Sequence, residues 1–190
     1  MKFFIKRLLD ILLSIIGIII LLPVWVLIAI FIKLDSAGPI FYKHIRVGVG
    51  RKEFICLKFR SMFVGSDSNS LVSDPGDKRI TKTGHFLRKT SLDETPQLIN
   101  VFIGNMSIVG PRPALPSQVK NFSENDYDKL LVKPGLTGWT QVNGRNTIPY
   151  KKRMELDSWY AKNWSIPLDL KILFKTFFIL FKQEEIYDAK

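Results

Sequence analysis

The chain has 190 residues, with 28 Lys and Arg against 17 Asp and Glu, giving a formal net charge of +11. Hydrophobic residues make up 46% and charged residues 24%, which excludes both a polytopic membrane protein and a disordered chain; the length suits one domain with an accessory segment. The single cysteine, Cys56, excludes an internal disulfide and a cysteine-built zinc site, and the positive balance points to anionic partners: nucleic acid, lipid headgroups or phosphorylated substrates.

From Ile11 to Ile32 the chain carries no charged residue. A bilayer core asks about twenty apolar residues of a helix, so residues 1–36 are read as a membrane anchor. A signal peptide would have a shorter apolar region and a small-residue cleavage site. Pro23 sits in the middle of the run, where it removes a helical hydrogen bond. Lys2, Lys6 and Arg7 precede the run, and Lys33, Lys43, Arg46, Arg51 and Lys52 follow it. Basic flanks stay on the cytoplasmic side, and here both flanks are basic. The expectation is a re-entrant helix hairpin reversing at Leu22-Pro23, with a kinked spanning helix as the alternative.

Residues 37–190 form the second unit. Pro39 to Val47 and Phe54 to Met62 read as two strands of a small β-hairpin, with Val47-Gly48-Val49-Gly50 as the turn. The period of two puts Phe54, Cys56, Lys58 and Arg60 on one face, opposite Ile55, Leu57 and Phe59. Val64 to Asp77 reads as a loop, followed by Arg79, Lys82, Arg88 and Lys89. Leu92, Pro96, Ile99, Phe102, Ile103 and Met106 recur at helical spacing and predict a buried face, leaving Asp93, Gln97 and Asn100 on the polar side. That helix ends near Gly104, and Gly110-Pro111-Arg112-Pro113 is irregular. A short polar helix is expected from Ser123 to Leu131, turns from Lys133 to Asn146, and a helix from Arg153 to Asn163. Ile166 to Lys182 predicts a helix with broad apolar cover and a lysine stripe, suited either to the bilayer interface or to packing on the core. The fold class is therefore α+β and mainly helical.

The chemistry has few places to sit. There is no Walker glycine loop, GxGxxG or HExxH, and His44 and His85 are the only histidines. Carboxylates must carry it. Ser91-Leu92-Asp93-Glu94 matches a capping box, in which Ser caps a helix and Glu reaches back. The same pair has a chemical reading: a carboxylate at a helix start stays ionised and serves as a nucleophile or binds Mg²⁺. Arg88 lies just before the pair, and Arg112 sits between two prolines that limit its backbone freedom, which suits phosphate recognition.

Lys58–Met62, Leu87–Glu94, Pro96–Val101, Gly104–Pro113, Lys133–Trp139, Gln141–Asn146 and Asp169–Leu173 together resemble the bacterial sugar transferase family, the monotopic phosphoglycosyl transferases. The resemblance runs nearly the whole chain in family order, in a minimal form without the extra transmembrane domain of larger members. It implies that Asp93 attacks the β-phosphate of a UDP-sugar, expels UMP and holds the phosphosugar until polyprenol phosphate takes it. It makes Glu94 the second essential acid, Asp93 a contact for Mg²⁺, and Arg88 and Arg112 phosphate or nucleotide contacts. Lys58, Arg60, Arg145 and Asp157 carry over as further substrate-binding positions. It also implies a re-entrant anchor broken at Pro23, an active site on the cytoplasmic face of the bacterial inner membrane, and contact with membrane lipids. The reaction is the first membrane step of surface glycan assembly, with downstream glycosyltransferases as further partners and no nucleic acid. Two departures stand out: Thr95, where the family usually has an apolar residue, predicts looser helix packing, and Leu22, where some members have serine before the proline, gives the helix break less support. A sugar transferase releasing UDP and a membrane-tethered basic binding module are the rival readings.

Overall fold

The computed structural model describes residues 1–66, 77–144 and 147–182. Helix α1 (Lys2–Asp35) runs unbroken through Pro23. The expected reversal at Leu22-Pro23 is therefore not a break in the helix. A proline costs one backbone hydrogen bond, which bends a long apolar helix without ending it. Its most apolar 18-residue window has a mean hydropathy of 3.2 and only 17% of it is buried, so α1 is not a core helix of a soluble domain.

One stripe of α1 does pack on the rest of the protein. Asp10, Ser14, Trp25, Ile28 and Ile32 are buried, with Lys6, Arg7, Gly17, Ile18 and Leu21 half-buried between them. This is a single helical stripe running along the whole element. At its start, Arg7 donates to the Val101 and Phe102 carbonyls, each at 2.6 Å, and Asp10 accepts from Ser107 Oγ and Ile108 N, each at 2.9 Å. At its end, Asp35 accepts from Thr83 N at 2.7 Å and Trp25 Nε1 donates to Thr95 Oγ1 at 2.9 Å. Both ends of the apolar helix are tied to the same domain. Thr95 does not loosen packing as expected; it anchors α1.

Strands β1 (Phe41–Val47) and β2 (Glu53–Phe59) form the expected antiparallel hairpin, with Tyr42 opposite Lys58, His44 opposite Cys56 and Arg46 opposite Phe54. Val47 N donates to Ala114 O at 2.9 Å, which draws the Pro-Arg-Pro segment alongside β1. Helix α2 (Lys82–Lys89) follows, its start capped by the Thr81 side chain. A 3-10 turn (Leu92–Glu94) leads into α3 (Gln97–Ile103), which ends at Gly104 with φ 96°, a left-handed position that suits glycine.

The face of α3 is only partly the one expected: Pro96 and Met106 are buried and Leu92 and Ile99 pack on the core, but Phe102 and Ile103 are exposed and Gln97 and Asn100 are buried. Asn100 explains the difference: it accepts from Leu57 N at 2.9 Å and donates to Ile55 O at 2.7 Å. An amide placed against the open edge of β2 satisfies both groups of that backbone, so burying it carries no unpaired polar atom.

Two short strands went unread in the sequence. β3 (Ser107–Val109) and β4 (Gly135–Thr137) pair in parallel, and Gly110 and Gly135 meet so closely that a Cβ on either would strike the other segment's backbone. A one-turn helix, α4 (Pro116–Val119), and a 3-10 helix (Glu124–Leu131) precede α5 (Tyr150–Asn163) and α6 (Ile166–Lys182). In α6 both sequence readings find a face. Leu168, Ile172 and Leu173 pack with Val109, Val142 and Tyr160, while Leu170, Phe174, Phe177 and Phe178 are exposed. Asp169 at its start accepts from Lys6 Nζ at 2.5 Å, Tyr160 OH at 2.6 Å and Trp164 Nε1 at 3.0 Å, which joins α6 to the start of α1.

Candidate active site

The hairpin, the 3-10 turn and the Pro-Arg-Pro segment converge on Glu94. Strand alternation presents Lys58 on the same face as Cys56, and its Nζ lies 2.6 Å from Glu94 Oε1. Arg112, drawn in by the Val47–Ala114 pairing, donates through Nη2 to Oε1 at 2.9 Å and through Nη1 to Oε2 at 3.4 Å. Burial alone would push the Glu94 carboxyl up, but Arg112 and Lys58 outweigh it and hold the group well below the usual carboxylate range. Glu94 is therefore a fixed anion locked between two cations.

Asp93 differs. It is half-buried and accepts no hydrogen bond among the described residues. Burial pushes its carboxyl up to about 6, Glu94 adds to this, and Lys58, Arg88 and Arg112 oppose it without cancelling it. At neutral pH such a group is still roughly nine-tenths ionised, yet more basic than an ordinary aspartate. That is a useful combination for a nucleophile: the charged form dominates and its lone pair is not tied up.

The cap expected at this turn is absent. Ser91 takes a left-handed conformation (φ 57°) and makes no side-chain cap, and Glu94 turns to Lys58 and Arg112 instead of reaching back. The helix start does not set the charge of Asp93; burial and neighbouring side chains do. A non-glycine residue at positive φ two positions before Asp93 is a strained geometry held by its surroundings.

The remaining candidate residues separate. Arg88, in the last turn of α2, donates from Nε to Ser61 Oγ at 2.9 Å and contributes to the field at Asp93. Arg60 points away: its guanidinium donates to Ser36 O and Ala37 O, each at 2.6 Å, and to Ile32 O at 3.3 Å, so it caps the end of α1. Asp157 is buried on α5, paired with Lys129 at 2.7 Å and with Thr140 Oγ1 at 2.5 Å. Neither lines the cleft beside Glu94. Arg145 lies outside the described residues, as do residues 67–76 of the loop. Pro23 lies within α1, with Trp25 just beyond it on the packed stripe.

A small cleft adjoins this cluster, lined by Arg46, Cys56, Lys58, Glu94, Gln97, Arg112 and Pro113. Burial raises the Cys56 thiol, so it lines the cleft as a small neutral group. Sequence reasoning took Arg46 only as a flanking charge. The signal that places it here was available: Tyr42, His44 and Arg46 alternate on β1, and the hairpin register puts them across from Lys58, Cys56 and Phe54.

No group of three or more His, Cys, Asp or Glu residues able to hold a metal occurs among the described residues. Mg²⁺ fits the site in another way. It commonly takes one or two carboxylates and completes its shell with water and substrate phosphates; Asp93, which accepts no hydrogen bond among the described residues, is the carboxylate that would hold it.

Comparison with known proteins places the chain in a family. The family model described as bacterial sugar transferase matches residues 1–183. A UDP-galactose-lipid carrier transferase of Erwinia amylovora is 42% identical over 200 residues, covering 97% of this chain and 42% of the relative. A UDP-glucose:undecaprenyl-phosphate glucose-1-phosphate transferase of Escherichia coli is 41% identical, covering 96% of this chain and 41% of the relative. An exopolysaccharide production protein of Sinorhizobium fredii is 40% identical, covering 90% of this chain and 83% of the relative. The chain thus spans less than half the length of several relatives it matches. It belongs to the bacterial sugar transferase family.

Proposed function

We propose that this member of the family moves a sugar 1-phosphate from a UDP-sugar to a polyprenol phosphate and releases UMP. The observation that carries the reading is the division of labour in the acidic pair: Glu94 is clamped by Lys58 and Arg112, while Asp93 forms no ion pair among the described residues and is more basic than usual. An Asp93 carboxylate oxygen attacks the sugar-bearing β-phosphorus. The bond from that phosphorus to the bridging oxygen breaks, and the electron pair leaves with UMP. An oxygen of polyprenol phosphate then attacks the acyl phosphosugar, and the Asp93 carboxylate departs unchanged. Lys58 and Arg112 offset charge on the phosphates throughout. Bound at Asp93, Mg²⁺ would neutralise diphosphate charge further.

The acceptor is a lipid, and the exposed surface supports access to it. The outer face of α1, with Phe86 on α2, Phe102 and Ile103 on α3, and Leu170, Phe174, Phe177 and Phe178 on α6, presents large apolar side chains outward. Because both ends of α1 are tied to one domain, both ends stay on one face of the bilayer, the cytoplasmic one given the basic flanks. Helix α6 lies at the interface with its aromatic face toward lipid. The product feeds later glycosyltransferases in surface glycan assembly.

The test is a panel of UDP-sugars with undecaprenyl phosphate and the purified protein. It starts with UDP-galactose and UDP-glucose because the relatives' names contain those sugars. UMP release with one of them is expected. UDP as the nucleotide product would sink the reading.

A further inference from the structure

We propose that Arg46 is a phosphate-binding residue, forming with Lys58 and Arg112 an anion subsite in the cleft beside Glu94. The proposal rests on the transferase reading and names a contact for the phosphates of that reaction. The guanidinium has five N–H donors. Nη1 donates to Pro113 O at 3.1 Å and Nη2 to His44 Nδ1 at 3.3 Å, the imidazole nitrogen accepting because a guanidinium cannot. Nε–H is buried with no acceptor among the described residues, which leaves it a donor for a bound group.

The charge count points the same way. Arg46, Lys58 and Arg112 line the cleft with a single carboxylate, Glu94, among them. Burial and the neighbouring Arg112 both work against the charged form of Arg46, and a bound dianion relieves that conflict. The lining narrows the occupant: three cations around one carboxylate suit the oxygens of a phosphate or diphosphate group. Arg46 is also held in place: Pro113 follows Arg112 directly, so the carbonyl that fixes Arg46 belongs to the segment carrying the second guanidinium.

The probe is inorganic pyrophosphate, titrated against the full chain in detergent by thermal unfolding. The expected result is stabilisation of the wild type, with half-saturation raised about tenfold or more in Arg46→Gln, as for loss of a charge-assisted contact. Arg46→Lys keeps the charge and loses the fork, and should fall between; it also serves if Arg46→Gln does not fold. In turnover, the same variants should raise the KM of one phosphate substrate by a similar factor with a smaller change in kcat. Whether that substrate is the UDP-sugar or the polyprenol phosphate identifies the source of the bound group. The proposal fails if wild type does not bind pyrophosphate, or if folded variants bind it equally and keep both KM values. Pyrophosphate binding needs no turnover, so it can stand even if no UDP-sugar yields UMP.

Discussion

Asp93→Asn should abolish transfer and make the protein more stable. In the fold the carboxyl rises from 3.8 to about 6, so ionising it costs stability that an unfolded chain does not lose. About two pK units correspond to roughly 3 kcal/mol at ~1.4 kcal/mol per unit. Asp93 is only half-buried, and solvent screening reduces the expected gain to about 1–2 kcal/mol. For a chain of this size that raises Tm by about 3–6 °C. The pH dependence is the sharper part. Below the unfolded value near 3.8 both states hold the proton, and the variant gains nothing. The gain grows as pH rises, reaches about half its full size near pH 5 and levels off above about 6. Thermal unfolding of both proteins in the same detergent at about pH 5 and about pH 7.5 reads this directly. A variant no more stable at the higher pH, or one whose gain is equal at both, would refute the account of the site's electrostatics.

Two further outcomes follow from the placement of other residues. Asp157→Ala should cost about 3–5 kcal/mol, because it strands the buried Lys129 ammonium, while the folded fraction keeps its KM for the UDP-sugar; chemical denaturation and kinetics together check this. A cysteine replacing Lys2 should react with a membrane-impermeant thiol reagent only from the side that carries the catalytic domain, and labelling from the opposite side would mean that α1 crosses the bilayer.

Patterns that depend on one element were legible in the sequence. The period of two in β2 placed Lys58 and Cys56 on one face, and the apolar run from Ile11 to Ile32 announced the long, largely exposed helix α1. Patterns that depend on a partner were not. The spacing of Leu92 to Met106 pointed Phe102 and Ile103 inward, but Asn100 matches the backbone edge of β2 and α1 covers the other side. Arg60 looked like a second strand cation beside Lys58, yet the free carbonyls at the end of α1 claim it. The Ser91-x-x-Glu94 pattern read as a cap, and two distant cations took Glu94 instead. Strands β3 and β4 are three residues each, too short for a periodicity, and exist because glycines let two backbones touch. In each case the deciding group lies far away in sequence.

The central claim is that Asp93 becomes the covalent carrier of the phosphosugar. Incubating the purified protein with its UDP-sugar and no lipid acceptor, followed by intact-mass and peptide mass spectrometry, tests it. The account predicts one sugar-phosphate adduct on Asp93 that disappears when polyprenol phosphate is added. An unmodified protein that nevertheless releases UMP in the complete reaction, or an adduct on another residue, would contradict it.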